Sequence, residues 1–189
     1  MFRDRLTFDP DRGEYRDGDI RYMMIRPDAL MGMIAELPDH WRGEALAAFA
    51  RSIRRFGGRS ARSYQAASQA DPDALLRTIQ DTAPQLGWGR WSFARTPNML
   101  SLMVENSPFA AHAGHSAPHV CHPICGMLTA VGEMVLGGEV HVTETHCAVA
   151  GETHCKFTVE QVPDRQVSRA SAAAGSPRSA RRGSGSAAE

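Results

Sequence analysis

The chain has 189 residues, of which 42% are hydrophobic and 22% charged, enough apolar material for a packed core and too much for wholesale disorder. Its 21 basic and 21 acidic residues cancel, so no global field points to nucleic acid or an anionic membrane as a partner. The cancellation is uneven: from Val162 onward the chain carries a net charge of +3, and the body before it −3. Seven of the eight histidines and all four cysteines fall within residues 112–154 or just beyond, at Cys155.

The first ten residues are charged and lack an apolar run, so no secretory signal is expected. No stretch approaches the roughly 18–20 apolar residues of a membrane helix. These features predict a cytoplasmic protein without a membrane span, in which clustered cysteines favour metal over disulfides.

Residues 5–8 and 20–25 read as short strands, separated by the turn-rich Asp11-Arg12-Gly13 and Asp17-Gly18-Asp19. Pro27 stands at a first helical position, followed by the stripe Leu30, Met33, Ile34 and Leu37. Asp39 can cap a second helix whose Leu46, Phe49, Ala50 and Ile53 share a face, and Gly57-Gly58 is expected to break it. Asp71-Pro72 opens a third helix that buries Leu75, Leu76, Ile79 and Leu86 and ends at Gly87. A hairpin is predicted from Trp88 to Glu105 and an amphipathic helix over 122–136, stopped by Gly137-Gly138. A closing hairpin of 139–149 and 153–161 follows.

The fold class predicted is α+β, an antiparallel sheet packed with helices. One domain is expected over residues 1–162, and an Ala/Ser/Gly/Arg-rich tail over 163–189 that cannot bury enough apolar surface to order itself.

If Ala150, Gly151 and Glu152 form the last loop, Cys147 and Cys155 face each other across the ladder, with Cβ atoms roughly 4.5–5.5 Å apart. Cys121, at the start of the 122–136 helix, is a third ligand, its thiolate favoured by the exposed amides of the first turn. Glu144, His146 or Cys125 could supply a fourth. Glu144 and His146 both oppose Cys147 in strand parity, so either would need a bulge. Cys125 raises no such objection. His112, His115, His119 and His122 recur at intervals of three and four, but Gly114 and Pro118 argue for a loop of exposed histidines over a second metal or haem site.

Several runs carry a resemblance: Cys121-His-Pro-Ile-Cys125-Gly, Gly137-Gly138, Glu144-Thr-His-Cys147 and Gly151-Glu-Thr-His-Cys155-Lys-Phe157. They resemble the vinyl-4-reductase domain family, which includes a protein of bacteriochlorophyll synthesis and the sensory domains of phenol- and xylene-responsive activators. The opening, Leu6-Thr-Phe-Asp-Pro-Asp-Arg-Gly13 and Arg21-Tyr-Met-Met-Ile25, is similar to the sensory members. The resemblance implies a structural zinc (Zn2+) held by Cys121, Glu144, Cys147 and Cys155, a bulge near Thr145-His146, and Cys125 as a spare thiol on the buried helix face. A zinc with four protein ligands has no open position and acts by holding the fold.

The resemblance also implies an enclosed apolar pocket, for which Trp88, Trp91, Phe93 and Phe109 are the nearest aromatics. No G-x-G-x-x-G follows a strand and no P-loop is present, which favours a ligand-binding domain over an autonomous reductase. The expected partner is a hydrophobic or aromatic small molecule, of sensor or carrier type. The alternative is a bacteriochlorophyll-biosynthesis protein that handles or assists reduction of a 4-vinyl tetrapyrrole. No direct nucleic-acid contact is expected; a homodimer or a protein partner is compatible with this reading.

Overall fold

The computed structural model describes residues 2–67, 69–111, 113 and 119–163. The tail predicted from 163 lies outside the described residues except for Pro163, and so do His112 and His115. Two antiparallel sheets and six helices make up the described chain, an α+β architecture.

A one-turn helix α1 (Phe2–Arg5) precedes a three-stranded sheet of β1 (Thr7–Asp9), β2 (Glu14–Asp17) and β3 (Ile20–Tyr22). The two tight turns need Gly13 at φ +63° and Gly18 at φ +58°, where a side chain would be strained. The short segment between the turns is the central strand, which sequence patterning did not anticipate. Its Glu14 is buried and gathers Arg16 at 2.7 Å, Arg12 at 3.3 Å and Arg21 at 3.7 Å. The strand expected over 20–25 stops at Tyr22, because β3 is an edge strand whose pairing with β2 ends at Tyr15. Met23, Met24 and Ile25 leave the sheet as exposed chain.

Helix α2 (Pro27–Glu36) starts with proline in its first turn, as predicted. Helix α3 runs unbroken over Asp39–Ala67 and corrects the expectation of a break at Gly57-Gly58. The glycines serve packing instead. A Cβ at Gly57 would lie 2.7 Å from Met127 Cε, and one at Gly58 3.0 Å from Ala130 Cβ. Each glycine costs a helix interior about 1 kcal/mol relative to alanine; the close approach to helix α6 (His122–Gly132) offsets that cost. Gly126 of α6 answers from the other side, where a Cβ would come within 2.1 Å of the Ala50 carbonyl oxygen. Helix α4 (Pro72–Gln85) is capped by Asp71, whose side chain accepts from the Asp73 amide at 3.0 Å.

The second sheet has the order β4-β5-β7-β6, from β4 (Arg90–Arg95), β5 (Met99–Glu105), β6 (Val140–His146) and β7 (Cys155–Gln161). Leu100, Leu102 and Val104 of β5 and Phe157 and Val159 of β7 alternate inward with no measurable exposure. A short helix α5 (Pro108–Ala111) leads to α6, which lies between this sheet and α3; Gly132 approaches Val159 and Val140 closely. The helix expected over 122–136 is present, with its last turn, Glu133–Gly137, widened into π geometry. Among the described residues no helix is long and apolar enough to cross a membrane.

Candidate functional site

Cys121 ends the chain's approach to α6, where its carbonyl accepts from the Ile124 and Cys125 amides at 2.9 and 3.2 Å. Its sulfur points away from the helix toward the β6–β7 hairpin. In that hairpin Glu144 pairs with Phe157 but His146 pairs with Lys156, so one residue is extra and the register shifts. The bulge expected near Thr145-His146 is there. Without it Glu144 and Cys147 would point to opposite faces; with it both turn inward toward Cys121.

The structure brings Cys121, Glu144, Cys147 and Cys155 together, with their ligand atoms all within 4.8 Å of one another. The sulfurs are separated by 3.6 Å (Cys121 to Cys155), 3.9 Å (Cys147 to Cys155) and 4.0 Å (Cys121 to Cys147). No disulfide joins them. A tetrahedral site with metal–sulfur bonds of about 2.3 Å has sulfur–sulfur edges of about 3.8 Å, so the spacing suits one ion. Glu144 Oε2 accepts from the Cys121 amide at 3.1 Å, while its buried Oε1 has no hydrogen-bond partner. An orphaned buried carboxylate oxygen facing three sulfurs is what a cation would satisfy.

The electrostatics agree. Burial raises the Glu144 carboxyl to about 8, with the Cys147 thiol beside it as the next cause. The Cys147 and Cys155 sulfurs, together with burial, push the Cys121 thiol far up. Cys155 goes the other way, because the Cys121 and Cys147 thiols and the Ala148 amide, at 3.4 Å, hydrogen-bond its sulfur. Four acidic ligands this close repel, so the corner is stable either partly protonated or around a divalent cation.

The other sequence candidates lie apart from it. His146 is exposed and bonds Thr145 Oγ1 at 3.1 Å. Cys125 is half-buried on α6 and outside the cluster, and burial raises its thiol to about 12. His119 Nδ1 lies 4.0 Å from Glu144 Oε2, and His122 is held below its ordinary pKa by burial and by His119.

A second feature lies away from the sulfurs. A cavity of about 1010 Å³ opens between the α1–β3 segment, α2, α3, α4, β4 and α5, and none of the four ligand residues lines it. Trp88, Trp91 and Phe109 form one wall. The Phe109 ring meets Trp88 edge-on at 5.3 Å, and the Trp91 indole donates to the Trp88 carbonyl at 2.9 Å, which fixes both indoles. Phe93 does not share this wall. It stands against Trp91 at 5.9 Å and faces a small surface recess with Asp73, Arg77 and Arg95. Sequence reasoning missed the opposite wall, made by Phe2, Tyr22, Ser60 and Tyr64. Its signal lay in the run Tyr22–Ile25, too apolar for an exposed edge strand unless it borders a cavity.

Residues 100–161 match the family model of the vinyl-4-reductase domain. The chain carries a vinyl-4-reductase domain. That stretch holds β5, α6, β6, β7 and all four residues of the sulfur corner. No curated protein matches the chain in sequence. Among solved structures, the chain is similar in fold to the phenol-responsive sensory domain of the transcription activator PoxR with phenol. That match has a TM-score of 0.73 at 20% identity and covers 93% of this chain and 94% of the other. A trafficking protein particle complex subunit 3 from Naegleria fowleri, covalently bound to palmitic acid, matches with a TM-score of 0.51 at 12% identity. Here 72% of this chain and 95% of that one are covered. A vinyl-4-reductase family protein from Methanocaldococcus jannaschii matches over 75% of this chain and 98% of its own, at 15% identity and a TM-score of 0.46.

Proposed function

We propose that this vinyl-4-reductase-domain protein is a zinc-stabilised domain that binds a hydrophobic or aromatic small molecule, as a sensor or a carrier. The observation that carries the reading is the apolar cavity walled by Trp88, Trp91 and Phe109. Apolar clefts with a few convergent polar groups are the usual form of a small-molecule site. The PoxR sensory domain, alike in fold, was solved with phenol, which supports an aromatic ligand for this chain too. Cys121, Glu144, Cys147 and Cys155 would hold the zinc, and a metal closed by four protein ligands contributes stability, with no step in chemistry. We infer no reductase activity.

Titration with phenol and larger aromatics, followed by emission of Trp88 and Trp91, tests the reading. Saturable quenching is expected, with affinity weakened about tenfold in Trp88→Ala. A flat titration across the series would overturn it.

The cavity's size favours a second reading. About 1010 Å³ lies at the upper end of the roughly 300–1,000 Å³ typical of ligand pockets, and a single phenol ring fills little of it. A vinyl tetrapyrrole of bacteriochlorophyll synthesis would use the space. Under that reading purified protein carries visible absorption bands, or acquires them when a porphyrin is added.

A further inference from the structure

We propose that the cavity's ligand is an amphipathic organic acid whose carboxylate is held at the Arg3 end, its apolar body lying against the Trp88–Phe109 wall. This deepens the ligand-binding reading and rests on it. Among the residues lining the cavity Arg3 is the one charged side chain, and no carboxylate lines it. Arg3 is also held in place. Its backbone amide donates to Gln85 Oε1 at 3.0 Å, tying α1 to the end of α4.

The two neighbouring arginines differ in their partners. Arg5 is matched by Asp17 at 2.8 Å. Arg3 has no carboxylate within ion-pair distance among the described residues, and it stands exposed at the rim. Hydroxyl groups gather at the same end. Tyr22 packs edge-on against the Phe2 ring at 5.3 Å, and Arg5 spans the Phe2 and Tyr64 rings. The Tyr64 oxygen accepts from Arg5 Nη2 at 3.4 Å, which leaves its O–H to donate.

An apolar chamber with one unmatched cation and several hydroxyl donors complements one negative charge on an otherwise apolar molecule. A neutral ligand leaves the guanidinium's hydrogen bonds to water alone. A diacid brings a second charge that the lining does not match. Charge-assisted hydrogen bonds beside a low-dielectric wall are the strong ones, so the acid head gives selectivity while the body supplies buried area. The volume sets the body's size: fused rings or a long acyl chain.

Decanoate and decanol share their chain and differ in the head. Calorimetric titration of the full chain is expected to give decanoate about a tenfold advantage over decanol. Arg3→Ala should remove that advantage by weakening decanoate while leaving decanol unchanged, and Arg3→Lys should keep most of it. Equal binding of the two by the wild type, or an acid preference that survives in Arg3→Ala, overturns this inference and leaves the cavity as an unselective apolar site. Failure of either compound to bind the wild type overturns the inference together with the ligand-binding reading beneath it.

Discussion

Cys121, Cys147 and Cys155 expose at most 1% of their surface, whereas Met23 and Met24 on the cavity's rim expose 78% and 73%. The two regions are covered in different ways. The sulfur corner is closed by the start of α6, the β6–β7 bulge and Ser107, whose Oγ lies 3.3 Å from Cys121 Sγ. The cavity is closed on one side by a sheet of strands only three or four residues long, which has little core of its own. That sheet is tied down through Phe2 and the Arg5–Asp17 pair. Tight packing thus belongs to the block that holds the fold, and loose packing to the block that must admit a ligand. Substitutions on either side can break this contrast or sharpen it.

The largest effect is expected at the corner. Cys155→Ser should abolish zinc binding, read as metal per chain, and lower stability by about 3 kcal/mol or more, read from thermal melts. Removing zinc from the wild type with a chelator should reproduce the loss. Cys125→Ser, outside the cluster, should keep its zinc. If the Cys155→Ser protein still holds close to one zinc per chain, the ligand set is wrong.

This corner was legible in the sequence for a physical reason. A glutamate is rarely buried without a partner, and the spacing of Glu144, Cys147 and Cys155 constrains a hairpin strongly enough to demand the bulge that is found. The cavity was only half legible. Trp88, Trp91 and Phe109 stood out as aromatics, but Phe93, on the same strand as Trp91, lies outside the cavity wall. Two residues of separation along a strand do not say which of two neighbouring recesses a ring faces. Patterning misleads where one residue type carries two meanings. Gly57-Gly58 suggests a stop because glycine weakens helices, yet glycine also permits close helix contact, and only the partner helix decides between them. Met23-Met24-Ile25 suggests a strand because an apolar run and an apolar rim have the same composition.

That ambiguity of glycine can be tested within the helices. Gly126→Ala forces a methyl group to within 2.1 Å of the Ala50 carbonyl oxygen, so α3 and α6 must separate. A loss of about 2 kcal/mol is expected in urea or thermal unfolding. Gly32→Ala is the opposite case. Gly32 lies in α2, where an added Cβ would meet nothing within 4 Å, so alanine should stabilise by roughly 0.5–1 kcal/mol through helix propensity and a less flexible unfolded chain. Equal effects at the two sites would mean that α3 and α6 do not approach each other closely.

The smallest expected effect is on the rim, and it separates stability from binding. Met24→Ser removes an apolar side chain that is already mostly in water, so the melting midpoint should move by no more than the equivalent of about 0.5 kcal/mol. The same side chain lines the cavity mouth. A hydrophobic ligand that passes or rests against it loses apolar contact, so affinity for an apolar probe should fall measurably while the melting curve of the free protein stays in place. A drop in melting midpoint comparable to that of Gly126→Ala would show that the Met23–Ile25 segment packs as core. The contrast between a closed metal corner and a loosely covered cavity would then fail at the residues that express it most directly.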